Sequence, residues 1–240
     1  MNKKSRLRKR SAFFLIMGIV GLFSVLIGFT KTFFVPVSFG TFNAPAIIYV
    51  HGILAFCWVF LYFTQAFLIR KNRYLTHKRL GIIGLIIAIG IAVTMIPAGK
   101  FQVEKELAMG FGDSAISAIL GVFISALMFL LLVFYGIYKR RVPQTHKRVM
   151  LLALLVLLWP AWFRFRHYFP SIPNPEIWFA VVLADSFIVI SMFWDKIANG
   201  KIHPAFLYIG TFIIVEHIFE VLMFDSSNWR VIAKTLYGWL

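Results

Sequence analysis

Long apolar runs alternate with short polar stretches along this chain, and the length of the runs sets the expected fold. Seven of them, at about 11–34, 44–69, 80–98, 114–138, 149–163, 177–194 and 204–224, reach or approach the roughly 20 residues that carry an α-helix across a hydrocarbon core. Backbone N–H and C=O groups in lipid must be bonded within their own segment, so runs of this kind predict helices. The fold class is therefore all-α: a polytopic integral membrane bundle of about seven transmembrane helices. The fifth run is the weakest member, being short, interrupted by Pro160 and continued by Arg164 and Arg166.

The pattern changes after the seventh run. Trp229, Ile232, Ala233, Leu236, Tyr237 and Leu240 recur at helical spacing with Arg230 and Lys234 off that stripe, which predicts an amphipathic helix lying in the membrane interface. The chain thus divides into a basic tail, 1–10, a single transmembrane domain, 11–224, and an interfacial tail, 225–240. Within the third run, Gly84, Ala88 and Ala92 form a stripe of small residues that lets a neighbouring helix approach closely.

Composition supports lipid as the solvent: 60% of residues are hydrophobic and only 14% charged, too few polar groups to cover a water-facing surface. Lys and Arg gather in the N-terminal tail (Lys3, Lys4, Arg6, Arg8, Lys9, Arg10), the second loop (Arg70, Lys71, Arg73, Lys78, Arg79) and the fourth (Lys139, Arg140, Arg141, Lys147, Arg148). The intervening loops are neutral, mixed or aromatic and proline-rich. The positive-inside rule then places the N-terminus in the cytoplasm and the C-terminus outside, in a bacterial cytoplasmic (inner) membrane. In a soluble protein a net charge of +16 would suggest nucleic acid. Here the cations stand beside membrane segments, so the expected partners are the bilayer and its anionic headgroups, with no nucleic acid. The first run is longer than a signal-peptide core and no A-x-A-like site follows it, so it reads as an uncleaved helix. Cys57 is the sole cysteine, which excludes an intramolecular disulfide and a thiolate metal cluster.

Candidate chemistry begins with a tetrapeptide used twice. Thr76-His77-Lys78-Arg79 and Thr145-His146-Lys147-Arg148 stand 69 residues apart, each before an apolar run, and His203 opens the last run in Gly200-Lys201-Ile202-His203-Pro204. With Asp195 ending the sixth run on the same side, three imidazoles and a carboxylate are a plausible shell for Zn²⁺ or a related divalent metal. A bound water could then be activated for hydrolysis of a membrane substrate. The plainer alternative makes Thr76 and Thr145 helix N-caps and makes Lys78, Arg79, Lys147 and Arg148 anchors for anionic headgroups.

A second constellation lies toward the other membrane face. At the rise of an α-helix, His51, Asp185, Glu216 and His217 fall about 10–15 Å below that interface, with Glu220 and Arg164 shallower. Ionisable groups in apolar helices face partners or a wet cavity. Arg164 is the expected partner of Asp185, Glu216 or Glu220, and two carboxyls one turn apart at Glu216 and Glu220 suit a proton carrier. His51 and His217 also form the one imidazole pair at matching depth for a haem b.

In order along the chain, Tyr49-Val50-His51-Gly52, Thr76-His77-Lys78-Arg79-Leu80-Gly81, Thr145-His146-Lys147-Arg148-Val149-Met150-Leu151-Leu152-Ala153, Arg164, Asp195 and Gly200-Lys201-Ile202-His203-Pro204-Ala205 resemble a family of bacterial multi-pass membrane proteins to which no activity is attached. The resemblance implies about seven helices and points to His51, His77, His146, Arg164, Asp195 and His203 as the positions to test. In topology the arrangement is also similar to seven-helix hydrolases of the adiponectin-receptor and ceramidase type, without their motif spacing. Cytochrome b561-type proteins are similar in spreading histidines over successive helices. Three functions stay open at this level: a metal- or headgroup-binding protein, including a hydrolase; a haem redox protein; and a small proton-coupled transporter or assembly factor.

Overall fold

A computed structural model describes residues 3–240, with side chains from residue 12 onward. The basic residues of the 1–10 tail therefore fall outside the described side chains. Among the described residues, seven helices are long and apolar enough to cross a membrane: α1 (Ala12–Ser38), α2 (Ala46–Arg70), α3 (Tyr74–Ala108), α4 (Asp113–Arg141), α5 (Pro143–His167), α6 (Glu176–Asn199) and α7 (Ala205–Met223). A short helix, α8 (Ser227–Tyr237), follows, and no strand occurs among the described residues. The protein is a multi-pass membrane protein of all-α architecture.

Several helices outrun the apolar stretches that announce them. The charged segment Lys100–Glu106 continues α3, because Lys and Glu are good helix formers and the helix persists where hydropathy falls. Both Thr-His-Lys-Arg motifs also lie inside helices. Their threonines are not N-caps: α3 starts at Tyr74 and α5 at Pro143, so Thr76 and Thr145 sit in the first turn. Proline at the first position of α5 is favourable, since its missing N–H would have had no helical partner.

Helix α5, the least secure in sequence, is the centre of the bundle. Val149, Leu151, Leu152, Ala153, Leu154, Leu155, Val156, Leu158, Ala161 and Trp162 are buried on all its sides, as expected of a helix surrounded by protein. It packs against α1, α4 and α6. Trp162 stacks on Phe187 of α6 with ring centroids 4.6 Å apart. At Gly28 of α1 an added Cβ would collide with the carbonyl of Ala161, so glycine allows these two helices to touch backbone to backbone. Helices α2 and α3 complete the other flank, where Gly84, Ala88 and Ala92 are buried as the small-residue stripe requires.

Among the described residues, three segments are wound as π-helix: Thr30–Phe34 in α1, Glu176–Leu183 at the start of α6 and Ala205–Gly210 at the start of α7. Such turns are rare and concentrate where side chains must be re-aimed at functional sites. The α6 segment delivers Asp185 immediately afterwards, and the α1 segment contains Lys31 and Thr32.

The amphipathic tail is docked on protein. Trp229 and Ala233 are buried with Ala115 and Ile119 of α4 and Val103 of α3. The Trp229 indole N–H donates to the Ser117 carbonyl at 2.9 Å, Lys234 pairs with Asp113 at 2.6 Å, and Val231 and Ile232 stay exposed.

Candidate functional site

At the end of the bundle that carries the Thr-His-Lys-Arg motifs, the motif splits into separate roles. Arg148 and Asp195 are 2% and 0% exposed and form a bidentate ion pair between α5 and α6. Arg148 also donates to the carbonyl and the side-chain oxygen of Gln144, at 2.7 and 2.9 Å. Asp195 further accepts from the backbone N–H of His203 at 2.8 Å and from Asn199. Four donors occupy this carboxylate, so Asp195 is committed to Arg148 rather than free to bind a metal. Likewise, Arg148 is enclosed and is not available to a headgroup. Of the four basic residues read as anchors, Lys78 and Arg79 are exposed, and Lys147 lies over the Phe14 ring at 4.9 Å.

His203 acts as the cap that its position at the start of α7 requires. Its Nδ1 accepts the backbone N–H of Ala205 at 3.1 Å. Burial holds this imidazole below its usual pKa, and the nearby Arg148 guanidinium acts in the same direction, which keeps Nδ1 unprotonated and able to accept. His77 and His146 do come together, with ring centroids 6.3 Å apart and planes perpendicular. His146 donates through Nδ1 to the Gly136 carbonyl at 2.8 Å. His77 Nδ1 is buried without a partner. Among the described residues no group of three or more His, Cys, Asp or Glu side chains is arranged to hold a metal ion.

Toward the other end, α6 and α7 bring Asp185, Glu216, His217 and Glu220 into one cluster. His217 Nδ1–H donates to Asp185 at 2.8 Å, and its Nε2 stands 3.9 Å from Glu216. Asp185 and His217 are 4% and 8% exposed. The second oxygen of Asp185 is buried and has no hydrogen-bond partner. The Glu220 carboxylate lies against Gly121 of α4, where any Cβ would overlap it, so the glycine makes room for the acid. Helical spacing locates Glu216 and Glu220 one turn apart. The bond between His217 and Asp185, on different helices, is tertiary.

Arg164 is not the counter-charge of this cluster. Its Nε donates to the Thr32 hydroxyl at 3.2 Å and its Nη1 to the Pro160 carbonyl at 2.9 Å, and the guanidinium lies over the Phe29 ring at 4.3 Å. The expected pairing fails because α5 ends in a tight 3₁₀ turn, Arg164–His167, that points the side chain toward α1. One imidazole therefore faces three carboxyls. With all four ionised the net charge is −2, and in an apolar surrounding it is offset by protons or by a cation from outside.

His51 also finds a local partner: its Nδ1 is 2.9 Å from the Thr94 hydroxyl, which itself donates to the Gly90 carbonyl at 2.7 Å. His51 and His217 are carried by α2 and α7, which share no extensive interface; α2 packs on α1 and α3, α7 on α5 and α6. Comparison with protein-family models, curated proteins and solved structures returned no match to this chain.

Proposed function

We propose that this chain is a proton-coupled membrane carrier of the bacterial inner membrane, with the N-terminus inside, whose working centre is the Asp185–Glu216–His217–Glu220 cluster. One observation supports this above the rest: the buried, unpartnered oxygen of Asp185 inside a group of three carboxyls and one imidazole. A closed structural ion pair would satisfy its oxygens, as Arg148 and Asp195 do. An excess of carboxyls with open acceptor sites stores protons, and His217 can pass a proton between Asp185 on one ring nitrogen and Glu216 near the other.

The experiment is proton uptake into vesicles containing the purified chain and a pH-sensitive dye, paired with infrared titration of the carboxyl band. Glu216→Gln and Glu220→Gln are expected to remove a titrating carboxyl band and to cut uptake about tenfold or more, with helical content and monodispersity unchanged. Wild-type protein with no titrating carboxylic acid and no uptake above empty vesicles would end the proposal.

The facing His77–His146 pair favours a second reading, a divalent metal or an anionic headgroup at the motif end, with Lys78, Arg79 and Lys147 orienting the negative group and hydrolysis as the reaction. His77 Nδ1, buried and unpartnered, supports it. Elemental analysis of protein purified without chelators or tag-derived metal separates the readings: stoichiometric zinc that disappears in His77→Ala selects the metal centre. An absorbance spectrum of the same sample with a Soret band lost in His51→Ala would select haem b instead.

A further inference from the structure

At the opposite end of the bundle from the Thr-His-Lys-Arg motifs, the turn that closes α5 meets the π-helical turn of α1, and the meeting gathers cations. Lys31 donates to the His167 carbonyl at 2.9 Å and lies 4.4 Å from the Tyr168 ring centre. Arg164 bonds Thr32, the neighbour of Lys31, and packs over Phe29. Arg166 donates to the Phe163 carbonyl at 2.9 Å with its guanidinium 3.8 Å from the Phe163 ring centre. Lys31, Arg164 and Arg166 are all within electrostatic reach of one imidazole, His167. Among the described residues, no carboxylate lies within ion-pair distance of any of the three. Glu106 acts on Arg166 only from longer range and accepts a hydrogen bond from Gln102 instead.

The obvious structural role for these residues is to cap the C-terminus of α5, and each does take at least one carbonyl or hydroxyl. That role neutralises little. A helix C-terminus offers roughly half a negative charge, against three full positive charges, and an aromatic face shields a cation without cancelling it. Donor capacity is also left over. A guanidinium has five N–H groups and an ammonium three; Arg164 uses two, Arg166 one and Lys31 one. Among the described residues, nine donors on three cations of two neighbouring helices thus have no protein acceptor.

We infer that Lys31, Arg164 and Arg166 form a binding site for a phosphate-type oxyanion. Planar guanidinium forks match two oxygens of a phosphate in parallel, and a lysine adds a point charge. Three cations suit a phosphate group better than the single charge of a carboxylate. A phospholipid headgroup seated at the membrane edge and a water-soluble phosphate have the same chemistry. The site is separate from the carboxyl cluster and does not rest on the carrier reading.

The test uses the full chain in nanodiscs. Binding of inorganic phosphate is measured by calorimetry in phosphatidylcholine discs, and retention of phosphatidylglycerol by native mass spectrometry after purification from mixed lipid. Arg166→Gln and Lys31→Gln are each expected to weaken whichever probe binds by roughly tenfold, the loss of one charge-assisted hydrogen bond, while Arg166→Lys retains part of it. Phosphate binding in neutral discs identifies a soluble oxyanion as the ligand; selective retention of phosphatidylglycerol alone identifies a headgroup. Arg164 is left unaltered because its bond to Thr32 and its packing over Phe29 hold α1 to α5. If neither probe binds, or if both glutamine variants bind as the wild type does, the site is overturned.

Discussion

At the scale of single residues, the tightest constraint is the Arg148–Asp195 pair, buried between α5 and α6 and satisfied on every side. Removing one partner of such a pair leaves an unpaired buried charge, which costs about 3–5 kcal/mol, whereas replacing both by apolar residues is often near neutral. Asp195→Asn is therefore expected to be markedly destabilised in chemical denaturation of detergent-solubilised protein, and Arg148→Met with Asp195→Leu to be more stable than the single variant. Equal loss in the single and double variants would show that the pair is not what holds the helices. The sequence marks both residues as unusual, since each stands at the edge of an apolar run. It assigns them different partners, a headgroup and a metal. Their actual partnership spans 47 positions and is visible only once α5 and α6 are side by side. His203 is ambiguous in sequence for a related reason: a histidine just ahead of a helix is equally suited to ligate and to cap, and only the Nδ1 contact with Ala205 decides.

At the scale of elements, the helices follow from hydropathy but their neighbours do not. A short apolar run with a proline and two arginines looks marginal in isolation, yet α5 is enclosed by protein, where polar ends find carbonyls and hydroxyls. The stripe on the C-terminal tail is legible in sequence, as is its helical period. Its docking on α4 is not, because a stripe facing lipid and one facing another helix have the same composition. An ion pair helps to hold the tail: Arg230 makes two hydrogen bonds to Asp225, which also accepts from the Ser117 hydroxyl at 2.7 Å. The Arg230 bonds, with a smaller contribution from Ser117, hold the Asp225 carboxyl below the usual range. A carboxyl depressed in the folded state stabilises it above the unfolded value, near ~3.9, and this contribution is lost as pH falls through the lower folded value. Amide exchange across Ser227–Tyr237, corrected for intrinsic rates, should therefore quicken on acidification below about pH 4, and Asp225→Asn should flatten that dependence. The effect is small and diminished by salt, as for other exposed pairs. A wild-type tail whose protection ignores pH would show that Trp229 and Ala233 hold it unaided.

At the scale of the whole molecule, the long helices bring together three notable groups of ionisable residues: the Arg148–Asp195 lock with the His77–His146 pair at one end, the carboxyl cluster of α6 and α7, and the cationic turn where α1 meets α5. With the basic loops in the cytoplasm, single cysteines introduced into a Cys57→Ser background at two exposed positions, Arg140→Cys beside the motif end and Ser171→Cys beyond the cationic turn, should react from opposite sides of intact cells. The first should be labelled only after permeabilisation. Same-side labelling would overturn the proposed orientation. Length and hydropathy alone determined that the chain is helical and crosses a membrane several times, because lipid forbids unbonded backbone and so leaves few options. They also put Asp185, Glu216 and His217 at one level along the bundle, since a fixed rise per residue turns position into height. Rotation about each helix axis, and which helix stands beside which, were settled by tertiary packing, through contacts such as Gly28 on Ala161 and Glu220 on Gly121. Pairing depends on that azimuth as much as on height. For this reason Arg164 reached Thr32 and not a carboxyl, Asp195 met Arg148, and the surplus of acid in one cluster and of base in another emerged only in three dimensions.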